Sequence, residues 1–168
     1  EMYIMIDLAE DMEVIQDILG NGTDIYIAMC NMVKKFTGII IIRKDGKALS
    51  LGVAYGQGKK LIAANLNCAV EKAMEFKTAF LNALKGVGKL DKKMKRTAER
   101  QGKISNPYGR VSYILDERFA YKALNSLIQG TAADCTKHAM VNLDELLLDY
   151  KSHMILTVHD EIILDYSM

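Results

Sequence analysis

The stretch "MILTVHDEIILDYSM" at residues 154–168 limits the possible folds more than any other part of the chain. Two β-rich runs, 154–158 and 161–166, are separated by about two residues. So short a gap has hairpin spacing, with the two strands antiparallel. The tip carries His159, Asp160 and Glu161, an imidazole and two carboxylates between apolar runs. Two readings of that tip are open. It is a polar turn, or it is a place where carboxylate oxygens bind a divalent cation such as magnesium, with help from substrate phosphates. His159 could join a metal or meet a phosphate.

The chain before the hairpin reads mostly helical. Residues 2–19 have helical apolar spacing with acids between, and "NGTD" at 21–24 is a turn whose Asx or Thr side chain caps a helix over 24–36. "FTGIIII" is ambiguous between a connection and a helix entry. Helices are predicted over 43–55, 66–84 and 89–101, with the glycines of "YGQGKK" ending the first of these. "NPYGR" at 106–110 is a turn, "VSYIL" at 111–115 has strand composition, and 117–148 gives one or two long helices. Helices, a strand, helices and a hairpin, in that order, make an α+β fold with the helical part in the middle.

The totals fit a globular chain of 168 residues, 50% hydrophobic and 26% charged. Cys30, Cys68 and Cys135 are far apart, so no zinc site or disulfide framework is indicated. No apolar run approaches the roughly 20 residues of a membrane helix. No targeting signal is visible, and a cytoplasmic setting is expected. The first residue is Glu1 and the carboxylate hairpin closes the chain, so a piece of a longer protein is expected. Charge is segregated. Residues 1–31 hold seven acids and no Lys or Arg, whereas 85–110 hold nine bases against two acids. Basic blocks between acidic ends suggest an anionic partner, or else a solvated helix face.

Arg43, Lys47, Leu51 and Tyr55 recur every four residues. On a helix each such step turns by about 40°, so the four lie along one drifting stripe. Cations at one end suit phosphates, the apolar residue a base or sugar, and the ring a stacked base. An ordinary amphipathic helix with Leu51 and Tyr55 in the core is the competing reading. Leu49 and Val53 point elsewhere, into protein. "GVAYGQGK" is not a P-loop: five residues separate Gly52 from Gly58 where that motif has four, and Lys60 stands where Ser or Thr is needed. In "ALNSLIQGTAAD", Asn125 and Gln129 share a helix face. Their amides suit minor-groove acceptors, present on every base pair, or bridge neighbouring helices.

Taken in order, "RKDGKALSLGVAYG", "NPYGR", "NSLIQGTAAD" and "VHDE" resemble the polymerase domain of family A DNA polymerases, the bacterial polymerase I and T-odd phage type. The resemblance covers essentially the whole chain. It implies a right-hand polymerase: a palm-to-fingers segment at 1–11, helical fingers at 12–105 and a partial palm at 106–168. It implies that Arg43 and Lys47 hold the incoming triphosphate and that Lys47 is the acid for the leaving pyrophosphate. Tyr55 would stack at the templating position, with Gly56 allowing close approach. Asn125 and Gln129 would touch the primer–template minor groove, and His159 the primer end. Asp160 would be a catalytic, metal-binding carboxylate and Glu161 an accessory one. Glu1 would pack against the sugar.

Three positions depart from the family. Leu51 replaces a usual Phe or Tyr, Tyr26 stands in "DIY" where "DIH" is usual at a dNTP contact, and Tyr121 stands where the bacterial enzymes often have Arg. The family's first catalytic aspartate lies five residues before the position of Glu1. Half of the cage for two Mg2+ ions, and the thumb, are therefore expected upstream of these residues, and the isolated chain is expected not to polymerise. The implied partners are primer–template DNA and dNTPs, and the implied setting is a bacterium or phage-infected host. A single-subunit RNA polymerase and a non-catalytic nucleic-acid-binding module are the rival readings.

Overall fold

Helix α1, Met2–Ala9, does not run on to residue 19 as its periodicity predicts. Glu10 adopts a left-handed conformation (φ 55°) and stops it, and α2 starts afresh at Met12–Asn21. The reason lies 75 residues away. The Asp11 carboxylate accepts hydrogen bonds from the Gly86 and Val87 amides, at 2.9 and 3.0 Å. Those amides open α7, Lys85–Gln101, and belong to the helix-end donors that lack partners within the helix. Burial pushes the Asp11 carboxyl above its ordinary value, against the pull of these two amides and of Lys89. A side chain on Gly86 would sit 2.0 Å from the Ala9 carbonyl oxygen, so only glycine allows this approach. The basic helix therefore begins at residue 85 rather than at 89, despite the helix-weakening Gly86 and Gly88.

The computed structural model describes residues 1–159 and 161–165. Helix α3, Ile25–Thr37, starts on the predicted cap: Asp24 accepts from the Tyr26 and Ile27 amides at 3.1 and 3.2 Å. It ends on Gly38. "GIIII" is then an extended link, with Ile41 buried and Ile40 and Ile42 exposed, into α4, Arg43–Ala54. The two glycines that weaken α4 in isolation let it pack. A Cβ on Gly46 would meet the Cys30 sulfur at 2.3 Å, and one on Gly52 would press on Gln57 and Ile62. Helix α5, Lys59–Leu66, was not expected. It is eight residues set between a glycine-rich turn and Asn67, which caps it in the left-handed conformation. Helix α6, Val70–Ala83, follows. The core joins these helices through Met29, Val33, Leu49, Ile62, Phe80 and Leu84.

A short strand that the sequence did not signal, β1 (Lys103–Ser105), pairs antiparallel with β2 (Val111–Tyr113) around "NPYG". Asn106 builds that turn by accepting from the Tyr108 and Arg110 amides, and Gly109 supplies a φ of 84°. Residues Glu117–Lys122 form a 3₁₀ segment before the 25-residue helix α8, Ala123–Leu147. Leu124, Leu127 and Ile128 bury the first half of α8, whereas Val141 and Leu146 in its last turns are exposed. The predicted terminal hairpin is present as β3, Met154–Val158, and β4, Glu161–Leu164, with Val158 opposite Glu161. Among the described residues the chain is thus mostly helical, with two small hairpins.

Candidate functional site

Of the stripe along α4, Leu51 lines a cleft whereas Arg43, Lys47 and Tyr55 do not, and the two ends of the stripe are held in different ways. At the N-terminal end, Arg43 grips the Asp24 carboxylate with both arms of its fork, Nε to Oδ1 at 3.0 Å and Nη2 to Oδ2 at 2.8 Å. Asp24, already the cap of α3, is held below the usual carboxylate range chiefly by that hydrogen bond. The Tyr26 ring lies 5.4 Å from the Arg43 guanidinium carbon and 5.8 Å from the Lys47 ammonium. Both distances fall within the range where a ring face attracts a cation. Tyr26 thus gathers the two cations that the sequence proposed for phosphate. The Arg43–Asp24 pair is half exposed, and such pairs hold weakly, so an arriving anion can compete for the guanidinium.

At the C-terminal end, the Tyr55 hydroxyl donates to a Glu1 carboxylate oxygen at 2.7 Å. That bond to Glu1, together with partial burial, raises the Tyr55 pKa, while the Gln129 side chain acts in the opposite direction. Leu51, one turn earlier, is half-buried, and Leu49 and Val53 are in the core as their phase on the helix predicts. A cleft of about 780 Å³ brings Glu1, Tyr26, Leu51 and Gln129 together with Thr157 and His159 of the hairpin. Lys137 and Thr136 line the same cleft. Sequence reasoning passed over them. The signal was available, since Thr136 and Lys137 lie seven and eight residues beyond Gln129 and repeat on its helix face.

Other proposed residues stand apart. The Asn125 carbonyl oxygen is buried without a hydrogen-bond partner, and Asn125 does not line the cleft. Gly56 has a φ of 63°, and a Cβ there would meet the Tyr121 carbonyl at 2.6 Å, so its close approach here is to the chain's own backbone. His159 is exposed and left-handed (φ 55°), as hairpin-tip residues often are. Glu161 is exposed at the start of β4, and Asp160 lies outside the described residues. Among the described residues no group of three or more His, Cys, Asp and Glu side chains converges to hold a metal ion.

One further cluster joins two motifs that the sequence treated separately. Asp134, the last residue of "QGTAAD", accepts from the Asn106 amide at 2.6 Å and from Arg110 Nε at 2.8 Å. Arg110, then Asn106, draw its carboxyl down to about 2. The "NPYGR" turn is thereby clamped to α8 just beyond Gln129.

Comparisons with known proteins show which family the chain is similar to. The model of DNA polymerase family A matches residues 1–168. DNA polymerase I of Lactococcus lactis subsp. lactis is 32% identical over 180 aligned residues, covering 98% of this chain and 20% of that protein. The DNA polymerase of Mycobacterium phage L5 is 30% identical over 163 residues, covering 97% of this chain and 26% of that protein. A solved structure of the POL domain of Pol1 from M. smegmatis, in complex with DNA primer-template and dNTP, superposes with a TM-score of 0.86 at 28% identity. That match covers 99% of this chain and 32% of the solved one. The chain therefore spans between a fifth and a third of the length of these relatives. On sequence and fold together, it belongs to the family A DNA polymerases.

Proposed function

We propose that the chain supplies the fingers and part of the palm of a DNA-directed DNA polymerase, with a palm-to-fingers segment at 1–11, fingers at 12–105 and partial palm at 106–168. Its cleft receives an incoming deoxynucleoside triphosphate against a primer–template. The observation that carries this reading is the two-ended stripe of α4, with cations around Tyr26 at one end and the Tyr55–Glu1 bond at the other. The M. smegmatis structure, which holds DNA and dNTP, supports it.

In the reaction, the primer 3′-hydroxyl oxygen bonds to the α-phosphorus and releases its proton to water, and the bond from that phosphorus to the oxygen bridging to the β-phosphate breaks. Arg43 leaves Asp24 for the triphosphate, where fork geometry favours it. Lys47 neutralises the same phosphates and gives its proton to the departing pyrophosphate. Leu51 packs on the sugar and Tyr55 on the templating base. The Glu1 carboxylate, fixed by the Tyr55 hydroxyl, crowds the sugar where a ribonucleotide would carry an extra hydroxyl. Gln129 meets the minor groove, where Asn125 can join it only through its amide nitrogen because its amide oxygen is buried; Gly56 lies beside the template, and His159 supports the primer end. Mg2+ is the expected ion, bound through Asp160 and Glu161. Of these two only Glu161 is among the described residues, and one carboxylate is less than a two-ion site needs, so no step is assigned to the metal. No helix among the described residues is long and apolar enough to cross a membrane. The relatives suggest a bacterial or phage-infected cell as the setting.

The test is titration of a fluorescent dATP analogue into the 168-residue chain. Arg43→Ala is expected to weaken binding about tenfold or more, a loss in keeping with a charge-assisted hydrogen bond. Equal affinity in the two proteins, or equal preference for the matching ribonucleotide, would count against the reading.

A further inference from the structure

The basic block at 85–110 is not spread around its helix. With about 100° of rotation per residue, Lys85, Lys89, Lys92, Lys93, Arg96 and Arg100 fall within an arc of roughly 100° along α7. All six are exposed. Val87, Leu90, Met94 and Ala98, the buried stripe, occupy the opposite side. The helix acids do not neutralise the arc. Asp91 lies off it and pairs with Lys95, which also lies off it, and Glu99 flanks its edge. A shallow groove of about 380 Å³ runs along the cations from Lys89 to Gln101, and no acid lines it. Lys85 to Arg100 spans 15 steps, about 22 Å along the axis.

We propose that this face of α7 is a second contact surface, which binds the phosphate backbone of DNA without reading its sequence. Spacing and composition both favour a nucleic acid. In B-form geometry one strand offers a phosphate about every 3.4 Å, so a 22 Å row of cations can meet several phosphates in succession. Protein interfaces are depleted in lysine and anchored by aromatic or aliphatic residues. This arc is mostly lysine and contains no apolar residue. None of its residues lines the α4 cleft, so the surface does not depend on the nucleotide-binding reading.

The experiment compares the 168-residue chain with a Lys92→Gln/Arg96→Gln/Arg100→Gln variant, both checked by thermal melting. Each is titrated into a fluorescein-labelled oligonucleotide across a series of salt concentrations. Losing three phosphate contacts should make the slope of log affinity against log salt shallower by about 2 to 3 and lower the affinity at every salt concentration. Binding of a fluorescent dATP analogue in the cleft should be unchanged. Identical slopes for the two proteins would overturn the proposal, and so would loss of binding to poly-glutamate but not to the oligonucleotide, which would assign the face to an acidic protein. Failure of dATP binding with a changed DNA slope would sink the cleft reading and leave this one standing.

Discussion

The helical body and the terminal hairpin are built to different standards. In the body, Leu49, Met29 and Phe80 are at most 1% exposed, and Gly46 lets α4 close onto the Cys30 sulfur of α3. In the hairpin, Ile155 is 64% exposed and Leu156 54%, and β3 and β4 form a two-stranded sheet by themselves. A lone hairpin is marginally stable in water, because two strands bury too little apolar surface to offset the ordering of the chain. Arg43 and Lys47 therefore project from a packed scaffold. His159 and Glu161 project from the end of that hairpin.

That contrast predicts unequal responses to the same kind of truncation. Leu49→Ala should destabilise the chain by about 2–5 kcal/mol, the usual cost of a large-to-small change in a tight core. Ile163→Ala, in the hairpin, should stay within about 0.5 kcal/mol. Urea melts of the two variants measure both, and similar losses would show that the hairpin is as well packed as the body. An effect between these two is expected at the α1–α7 crossing. Gly86→Ala forces a methyl group onto the Ala9 carbonyl and should cost about 1–3 kcal/mol, the range for overpacking, again read from urea melts.

The gentlest test uses pH at the Asp134 clamp. Its carboxyl pKa is about 2 when folded, against about 3.9 for a free aspartate. A lowered acid stabilises the folded state fully above the unfolded value, and loses that effect as pH falls through the folded one. The melting-temperature gap between the chain and Asp134→Asn should thus be widest above about pH 4 and close toward about pH 2. A gap independent of pH would mean that the clamp works through shape rather than charge.

How much of this was legible in the sequence depends on where each signal lay. The α4 stripe, the Asp24 cap and the hairpin are written in local spacing, and the structure places them as expected. The break at Glu10, the early start of α7 and the Asp134–Arg110 bond rest on partners 24 to 76 residues apart, which periodicity does not register. Gly46 and Gly86 owe their places to contacts of the same long-range kind. Alone they weaken a helix, and in place they let one helix touch another. At the site, the type of residue was readable and its company was not. Tyr26 departs from the family pattern, yet it sits between Arg43 and Lys47. Leu51 and Gln129 line the cleft, whereas Asn125, on the same predicted face, does not.

The central claim is that the α4 cleft, supported by the packed body, binds a nucleotide by its two ends. Amide chemical-shift mapping on the isotopically labelled chain, titrated with dATP, tests it most directly. The account predicts shifts at residues 24–26 and 43–47 and around Tyr55 and Gln129, with the α7 arc and the solvent-facing end of α8 unmoved. Shifts confined to α7, or spread evenly over the basic surface, would contradict it.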